Sequence, residues 1–353
     1  MARPHLTPKF WEGKRVLVTG HTGFKGAWLC QWLLRLGAKV TGFALPPSSS
    51  PNLFDLLKLE DRLDSHIGDL RNFADVEKII QNTRPDIILH LAAQALVRPS
   101  YDAPLDTFAS NVMGTAHVLE AIRQNHNPAV CLVATTDKVY RNLEEGRPFK
   151  EDDPLGGHDP YSASKAAAEI VISSYRQSFF EDTSTKLISV RAGNAIGGGD
   201  WSVDRIVPDA VRAWTKDETL NVRRPQAVRP WQHVLEPLFG YLYLSEQAEH
   251  AQFSSYNIAP SNNDKMTVGR LIEIAQEQFG RGEIKLGDGH DGPHEAGLLQ
   301  LDASRIGDEF GLWPRWSNER SLEQCMAWYK AFYQGQDAID LCDADIEHFM
   351  GCQ

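Results

Sequence analysis

Seven short apolar runs separated by stretches of helical period constrain this chain more than any other feature. RVLVT (Arg15 to Thr19) precedes a helical pattern from Gly23 to about Leu36. KVTGFA (Lys39 to Ala44), SHIG (Ser65 to Gly68), DIILHLA (Asp86 to Ala92), AVCLVAT (Ala129 to Thr135), LISVRA (Leu187 to Ala192) and SYNIA (Ser255 to Ala259) follow. Segments such as NVMGTAHVLEAIRQ (Asn111 to Gln124) lie between them with helical spacing. Near-continuous apolar strands alternating with helices predict a parallel sheet covered on both faces. The expected class is α/β, a Rossmann-type doubly wound parallel sheet. After about Asn194 the texture changes: GGGDW is a loop, arginine and proline become frequent from Arg205 to Pro230, and the last third is mostly helical. This predicts residues 1–194 as the wound sheet, with a strand and helix near 232–260 returning to it. Residues 195–353 are expected to form mainly a smaller, less regular C-terminal lobe covering one edge of the sheet.

The first strand ends in VTGHTGFKGAW, which places Gly20, Gly23 and Gly26 in a GxxGxxG turn before a helix. Glycines let the backbone turn tightly and approach a pyrophosphate, and the helix start offers free N–H groups and a positive dipole end to that anion. A tight strand-to-helix turn needs glycine for packing alone, so the context carries the dinucleotide reading: a strand before, a helix after, in the first such unit. An acid that would hold the adenosine ribose is missing from the end of the second strand, where Phe43 and Ala44 stand. No arginine replaces it, so NAD and NADP both stay open. His21 and Lys25 are unusual in the turn. Lys25 either contacts a phosphate or is solvated. Asp69 in GDL (Gly68 to Leu70) either accepts the adenine amino group, with Leu70 beside the ring, or caps the helix that follows. HLAAQ (His90 to Gln94) ends the fourth strand in small residues that let a cofactor lie close to the backbone.

The totals narrow the partners. A chain of 353 residues with net charge −11 is a poor ligand for nucleic acid or an anionic membrane, so an anionic small molecule would need clustered arginines. The five cysteines are scattered and show no CxxC spacing, which argues against a disulfide framework and a thiolate metal site. No apolar run is long enough to cross a bilayer, and MARPHLTPKFWEGK lacks the apolar middle of a signal peptide, so a cytoplasmic protein is expected. His290, His294 and Glu295 sit in a short glycine-rich loop without ordered ligand spacing, and no metal is expected.

The strand at Ala129–Thr135 stops in TTDK, and YSASK (Tyr161 to Lys165) opens a helix one loop later. Tyr161 and Lys165, four apart, share a helix face, where the ammonium can hydrogen-bond a ribose and stabilise a phenolate. A lone Tyr-x-x-x-Lys is nearly uninformative; its position after the fifth strand gives it weight. Asp137 and Lys138 taken alone read as a solvated surface ion pair after a strand; the surrounding motifs give the pair its catalytic reading.

VTGHTGFKG, GDL, HLAAQ, TTDKVY and YSASK, in this order and spacing, resemble the extended short-chain dehydrogenase/reductase superfamily over essentially the whole chain. RAGNAIGGGDW (Arg191 to Trp201), RPWQHVLEP (Arg229 to Pro237), PHEA (Pro293 to Ala296) and the Thr-Asp-Lys of TTDK are similar to the CDP-glucose 4,6-dehydratases. The resemblance implies NAD as cofactor, held by Gly20, His21, Gly23, Phe24, Lys25, Gly26, Asp69, Leu70, Leu91, Ala92, Ala93, Gln94, Asn111, Thr135, Tyr161, Lys165 and Arg191. It implies a sugar nucleotide, CDP-glucose, contacted by Asn194, Arg205, Ile206, Arg223, Arg229, His294 and Glu295, with Arg224 a weaker candidate. It implies catalysis by Thr136, Asp137, Lys138, Tyr161 and Lys165. Tyr161, with Thr136 nearby, would take the proton of the sugar 4-hydroxyl. Lys138, kept neutral by Lys165 and the nicotinamide, would remove the C5 proton, and Asp137, kept protonated by burial, would protonate the departing 6-hydroxyl. The product would be a 4-keto-6-deoxy sugar nucleotide for deoxysugar assembly, as in lipopolysaccharide O-antigen. A homodimer, or a homotetramer, would form through the YxxxK helix and the helix after the fourth strand. Another nucleotide-sugar 4,6-dehydratase or epimerase, acting on a GDP-, dTDP- or UDP-sugar, and a non-catalytic dinucleotide sensor remain as alternatives.

Overall fold

The computed structural model describes residues 3–125, 128–261, 264–289 and 298–351. Its centre is a parallel seven-stranded sheet. In chain order the strands are β1 (Arg15–Thr19), β2 (Lys39–Ala44), β3 (Asp64–Ile67), β4 (Ile87–His90), β5 (Val130–Ala134), β6 (Lys186–Ala192) and β7 (Ser255–Ile258). They lie side by side as β7-β6-β5-β4-β1-β2-β3. The order reverses between β1 and β4, which are paired from Val16↔Ile87 to Thr19↔His90. A crevice opens beyond the carboxyl ends of the strands at such a reversal, and ligands bind there.

Side-chain alternation sets the two covered faces. Val16 and Val18, Ile87 and Leu89, Val130 and Leu132, and Ile188 and Val190 join one apolar cluster. Leu17, Ile88, Cys131, Val133 and Leu187 join the other. Against the first face packs α1 (Phe24–Arg35), carrying Trp28 and Trp32. Against the second pack α2 (Phe73–Thr83), α3 (Gly114–Asn125) and α4 (Pro160–Tyr175). The helical spacing predicted from Asn111 does not begin as a plain α-helix. Residues Ala109–Met113 instead widen into a single π-helical turn before α3 begins. Such turns insert one residue into a helix and recur at functional sites.

The chain beyond Asn194 adds small two-stranded sheets above the carboxyl end of the main sheet. Asn194–Ile196 pairs with Trp231–His233, and Thr219–Val222 pairs with Glu283–Leu286. The acidic tail forms the helix Ala338–Gly351. It docks on α1 through Arg35, which pairs with Asp343 at 2.8 Å and Glu347 at 2.7 Å. Among the described residues no helix is long and apolar enough to cross a membrane.

Candidate active site

A cleft of about 1480 Å³ lies at the carboxyl ends of β1, β4, β5 and β6 and beneath the C-terminal lobe. The glycine turn forms one end. Gly20 has φ +82°, and a Cβ there would stand 2.8 Å from the Ala92 nitrogen, so only glycine lets β1 and β4 approach this closely. A Cβ on Gly26 would stand 2.0 Å from the Gly20 oxygen, so the turn and the helix cannot pack as they do with any larger residue. Gly23 is the N-cap of α1, which aims the helix's first N–H groups at the cleft. Gly20, Gly23, Phe24, Lys25, Gly26, Asp69, Leu70, Leu91, Ala92, Ala93, Gln94, Thr135, Tyr161 and Lys165 all line the same cleft. Burial and the nearby Arg205 push the Lys25 ammonium down to about 8. Asp69 does not cap α2; Asn72 does, accepting from Ala74 N at 3.2 Å. Asp69 instead pairs with Arg71 at 2.6 Å, which holds its carboxyl below the usual range.

Three residues expected at the cofactor do not line the cleft. His21 turns inward: its Nε2 meets Ser65 Oγ at 2.8 Å, and its ring fills the space over Gly42, where a Cβ would come within 2.3 Å of it. Burial pushes the imidazole down to about 4, so it is neutral near pH 7. Asn111, in the π turn, donates to Gln94 O at 3.0 Å and to Ser164 Oγ at 2.8 Å, and accepts from Gln94 N at 2.8 Å. It fixes the backbone of the cleft wall from behind. Arg191 is buried in a bidentate pair with Glu169, both N···O distances 3.0 Å. It sits on the α4 side of β6, the face that also carries Ser189.

The same cleft is lined by Thr135, Thr136 and Lys138 of TTDK, which leads from β5 into a single 3₁₀ turn, Asp137–Val139. Lys138 Nζ lies 2.9 Å from Asp137 Oδ1, and Thr136 Oγ1 donates to the same oxygen at 2.8 Å. Asp137 is fully buried behind the cleft lining, while a quarter of the Lys138 side chain stays exposed within it. Among the described residues Asp137 Oδ2 has no hydrogen-bond partner. Tyr161, at the start of α4, shares a hydrogen bond with Thr136, but burial prevails and pushes its phenol up to about 12. The expectation that Lys165 holds the phenol down is not met in this arrangement. Lys165 Nζ donates to Ala134 O at 3.2 Å, and burial pushes it down to about 8 against the pull of Glu169.

From the C-terminal lobe, Asn194, Arg205, Ile206, Arg223, Arg224 and Arg229 line the cleft. Asn194 reaches the Asp137–Lys138 pair, with its Oδ1 3.3 Å from Lys138 Nζ. Arg205 precedes the helix Ile206–Thr215 and pairs with buried Asp200 at 3.1 Å. His294 and Glu295 lie outside the described residues. Ser100 is a residue that the motifs did not indicate: its Oγ accepts from Tyr161 N at 3.1 Å and steadies the start of α4. Glu169 was missed as well, although it stands four residues beyond Lys165 in YSASKAAAE.

Comparison with known proteins matches this architecture. The model of the family described as GDP-mannose 4,6 dehydratase matches residues 17–326. A CDP-glucose 4,6-dehydratase of Salmonella typhimurium is 43% identical over 98% of this chain and 98% of its own. A dTDP-glucose 4,6-dehydratase of Xanthomonas campestris pv. campestris is 26% identical over 89% of this chain and 92% of its own. In structure, the dTDP-glucose 4,6-dehydratase of Bacillus anthracis in complex with NAD superimposes with TM-score 0.77 at 21% identity, covering 93% of this chain and 100% of that one. The UDP-glucose 4-epimerase of Thermus thermophilus in complex with NAD gives the same TM-score at 24% identity, covering 90% and 99%. The family match over most of the chain, with a relative of 43% identity along its whole length, places the chain in the GDP-mannose 4,6-dehydratase family.

Proposed function

We propose that this chain is a nucleotide-sugar 4,6-dehydratase that converts CDP-glucose to CDP-4-keto-6-deoxyglucose and water with NAD as its cofactor. The observation that carries this reading is the Asp137–Lys138 pair, 2.9 Å apart at the end of β5, whose Lys138 lines one cleft with the Tyr161–Lys165 face and the glycine turn while Asp137 stands directly behind it. The turn that Gly20 and Gly26 hold tightly against the helix start, with Gly23 capping that helix at the cleft wall, fits a pyrophosphate lying against backbone. Gly20, Gly23, Phe24 and Gly26 would hold the pyrophosphate, Leu70 and Ala92–Gln94 the adenosine side, and Tyr161 and Lys165 the nicotinamide ribose. When bound, NAD supplies a hydride acceptor at C4 of the sugar and returns the hydride at C6, so it ends unchanged.

The chain's own residues do the proton work. Tyr161 takes the 4-hydroxyl proton. Its phenol is held high by burial, and the Thr136 hydrogen bond works in the opposite direction. A proton passed from Lys138 to Asp137 along their 2.9 Å hydrogen bond leaves a neutral amine and a neutral acid at once. The amine removes the C5 proton, the acid protonates the leaving 6-hydroxyl to release water, and C5 is reprotonated by the Lys138 ammonium, which exchanges with solvent, as the hydride returns to C6. Thr136 and Asn194 hold the pair in place from either side. Arg205, Arg223 and Arg229 supply positive charge for the diphosphate in an otherwise acidic protein. The cytidine preference rests on the Salmonella typhimurium relative.

Two copies would associate through exposed apolar side chains on the helices after β4 and on α4. Leu105 is 83% exposed, Met113 51% and Ile170 61%, with Tyr101, Phe108 and Phe179 beside them. Light scattering gives the oligomer mass; a monomer would overturn this part.

The assay for the reaction is incubation with CDP-glucose and NAD, read by loss of one water in mass and by the alkaline chromophore of a 4-ketosugar. UDP-, GDP- and dTDP-glucose run alongside. Product from CDP-glucose alone is expected. Product from another nucleotide would overturn the base assignment, and a C4 epimer without loss of water would favour the epimerase reading.

A further inference from the structure

Glu169 does not line the cleft, yet each of its carboxylate oxygens accepts two hydrogen bonds. Its Oε1 accepts from Thr135 Oγ1 at 2.5 Å and from Arg191 Nε at 3.0 Å. Its Oε2 accepts from Ser189 Oγ at 2.9 Å and from Arg191 Nη2 at 3.0 Å. The carboxylate is thus tied to three elements: α4, which carries Tyr161 and Lys165; β6; and the end of β5. Thr135 is the residue immediately before Thr136, Asp137 and Lys138. Arg191 extends the grip. Its Nη1 donates to Tyr140 OH at 2.9 Å and to Glu151 O at 2.9 Å, and Tyr140 OH donates to Asn257 Oδ1 on β7 at 2.6 Å. Tyr140 lies two residues beyond Lys138, so the acid–base turn is held on both flanks by one buried polar network. Charge-assisted bonds of this kind, shielded from water, hold their geometry more stiffly than neutral ones.

We propose that Glu169 is a positioning residue for the elimination step, setting the register between the Tyr161–Lys165 face of α4 and the Asp137–Lys138 turn through Thr135 and Arg191. This rests on the dehydratase reading. Oxidation at C4 needs Tyr161, on α4 itself. Elimination needs that helix and the β5 turn to present their groups to the same sugar, so it is the step that feels the register. A displacement on the scale of 1 Å at a reacting group lowers a rate by about a hundredfold.

Thr135→Val is the sharpest test, because it cuts the 2.5 Å link from Glu169 to the end of β5, with only a long 3.4 Å contact to Val190 O besides, and leaves the Glu169–Arg191 pair intact. The expected result is a fall in kcat of about ten- to hundredfold, with KM for CDP-glucose and for NAD changed less than about threefold and the unfolding temperature nearly kept. In a single turnover, the 340 nm absorbance of reduced nicotinamide should persist longer than in the parent protein, because oxidation outruns elimination. Thr135→Ser, which restores the hydroxyl, should recover most of kcat. A Thr135→Val variant with the parent kcat overturns the proposal. So does one whose loss lies in the KM for NAD, since that would make Thr135 a cofactor contact. Glu169→Gln is expected to show the same persistence of the 340 nm signal and a lower unfolding temperature, because Arg191 loses its anion. A folded Glu169→Gln enzyme with unaltered partition between the two steps also overturns it. If the unmodified protein makes no 4-ketosugar, it is the dehydratase reading that fails, and the two failures are told apart.

Discussion

Replacing Asp137 with asparagine tests the acid–base pair with little change of shape. The side chain is fully buried, and its Oδ1 accepts from Lys138 Nζ at 2.9 Å and from Thr136 Oγ1 at 2.8 Å. An asparagine oxygen can still accept both bonds, so the turn should persist. What is lost is the ability to carry a proton to the leaving hydroxyl and the anion facing Lys138. A positioned general acid is worth about 10² to 10⁴ in rate, which corresponds to about 3 to 5 kcal/mol of barrier. The structural cost is far smaller. Lys138 keeps its Asn194 contact and is partly solvated, so the variant should lose only about 1 kcal/mol of stability. The assay is stopped-flow absorbance at 340 nm alongside quenched-flow detection of the 4-ketosugar. Nicotinamide reduction should proceed at close to the parent rate and then stall, while 4-keto-6-deoxy product forms at least a hundredfold more slowly. A variant that forms product within threefold of the parent rate would refute the assignment. A variant that loses nicotinamide reduction to the same degree would show that Asp137 serves the first step.

Gly26→Ala should weaken NAD binding by at least about tenfold, because its Cβ would stand 2.0 Å from a backbone oxygen and force the turn open; calorimetric titration reads it. Arg205→Gln should raise KM for CDP-glucose by roughly tenfold or more with kcat little changed, the loss of one charge-assisted contact to a diphosphate. Glu236 carries a pH prediction. Burial raises its carboxyl to about 7, although Arg315 N and Trp316 N both donate to its Oε1, at 2.8 and 2.7 Å. The unfolded chain releases that proton near the ordinary glutamate value, so the folded state binds the extra proton between about 4.5 and 7. Its contribution to stability is present below that window and is lost as pH rises through it. Glu236→Gln keeps an oxygen for both bonds, so its unfolding temperature should fall less between pH 5 and pH 8 than that of the parent, as measured by scanning calorimetry.

The strands were the most legible part of this molecule. β1 and β2 match the predicted runs, and the others differ by one or two residues at their ends, because a strand buried on both faces leaves an uninterrupted apolar signature. The glycine turn was legible too, since backbone approach demands particular residues at particular places. Side-chain direction was not. His21 sits in the turn but points under the sheet, into room that Gly42 leaves on the neighbouring strand, and no local pattern reports a neighbour so far along the chain. Arg191 was expected at the cofactor, although the period of a strand held a warning. Ser189 and Arg191 are two polar residues on one face of an otherwise apolar strand, and such a pair needs a buried partner. Glu169, one helical turn beyond Lys165, is that partner. The π turn around Asn111 left no mark that its residue types could show, because it differs from an α-helix only by one residue in the hydrogen-bond ladder.

The central claim is a closed redox cycle in one cleft, and isotope transfer tests it most directly. CDP-glucose labelled with deuterium at C4, mixed with unlabelled substrate, would be converted by the purified protein with NAD, and the product's C6 examined by mass spectrometry and NMR. Deuterium is expected at C6 of the same molecules that carried it at C4, with one solvent-derived hydrogen at C5 and no net accumulation of reduced cofactor. Deuterium retained at C4, scrambled between molecules, or left on released cofactor would contradict it.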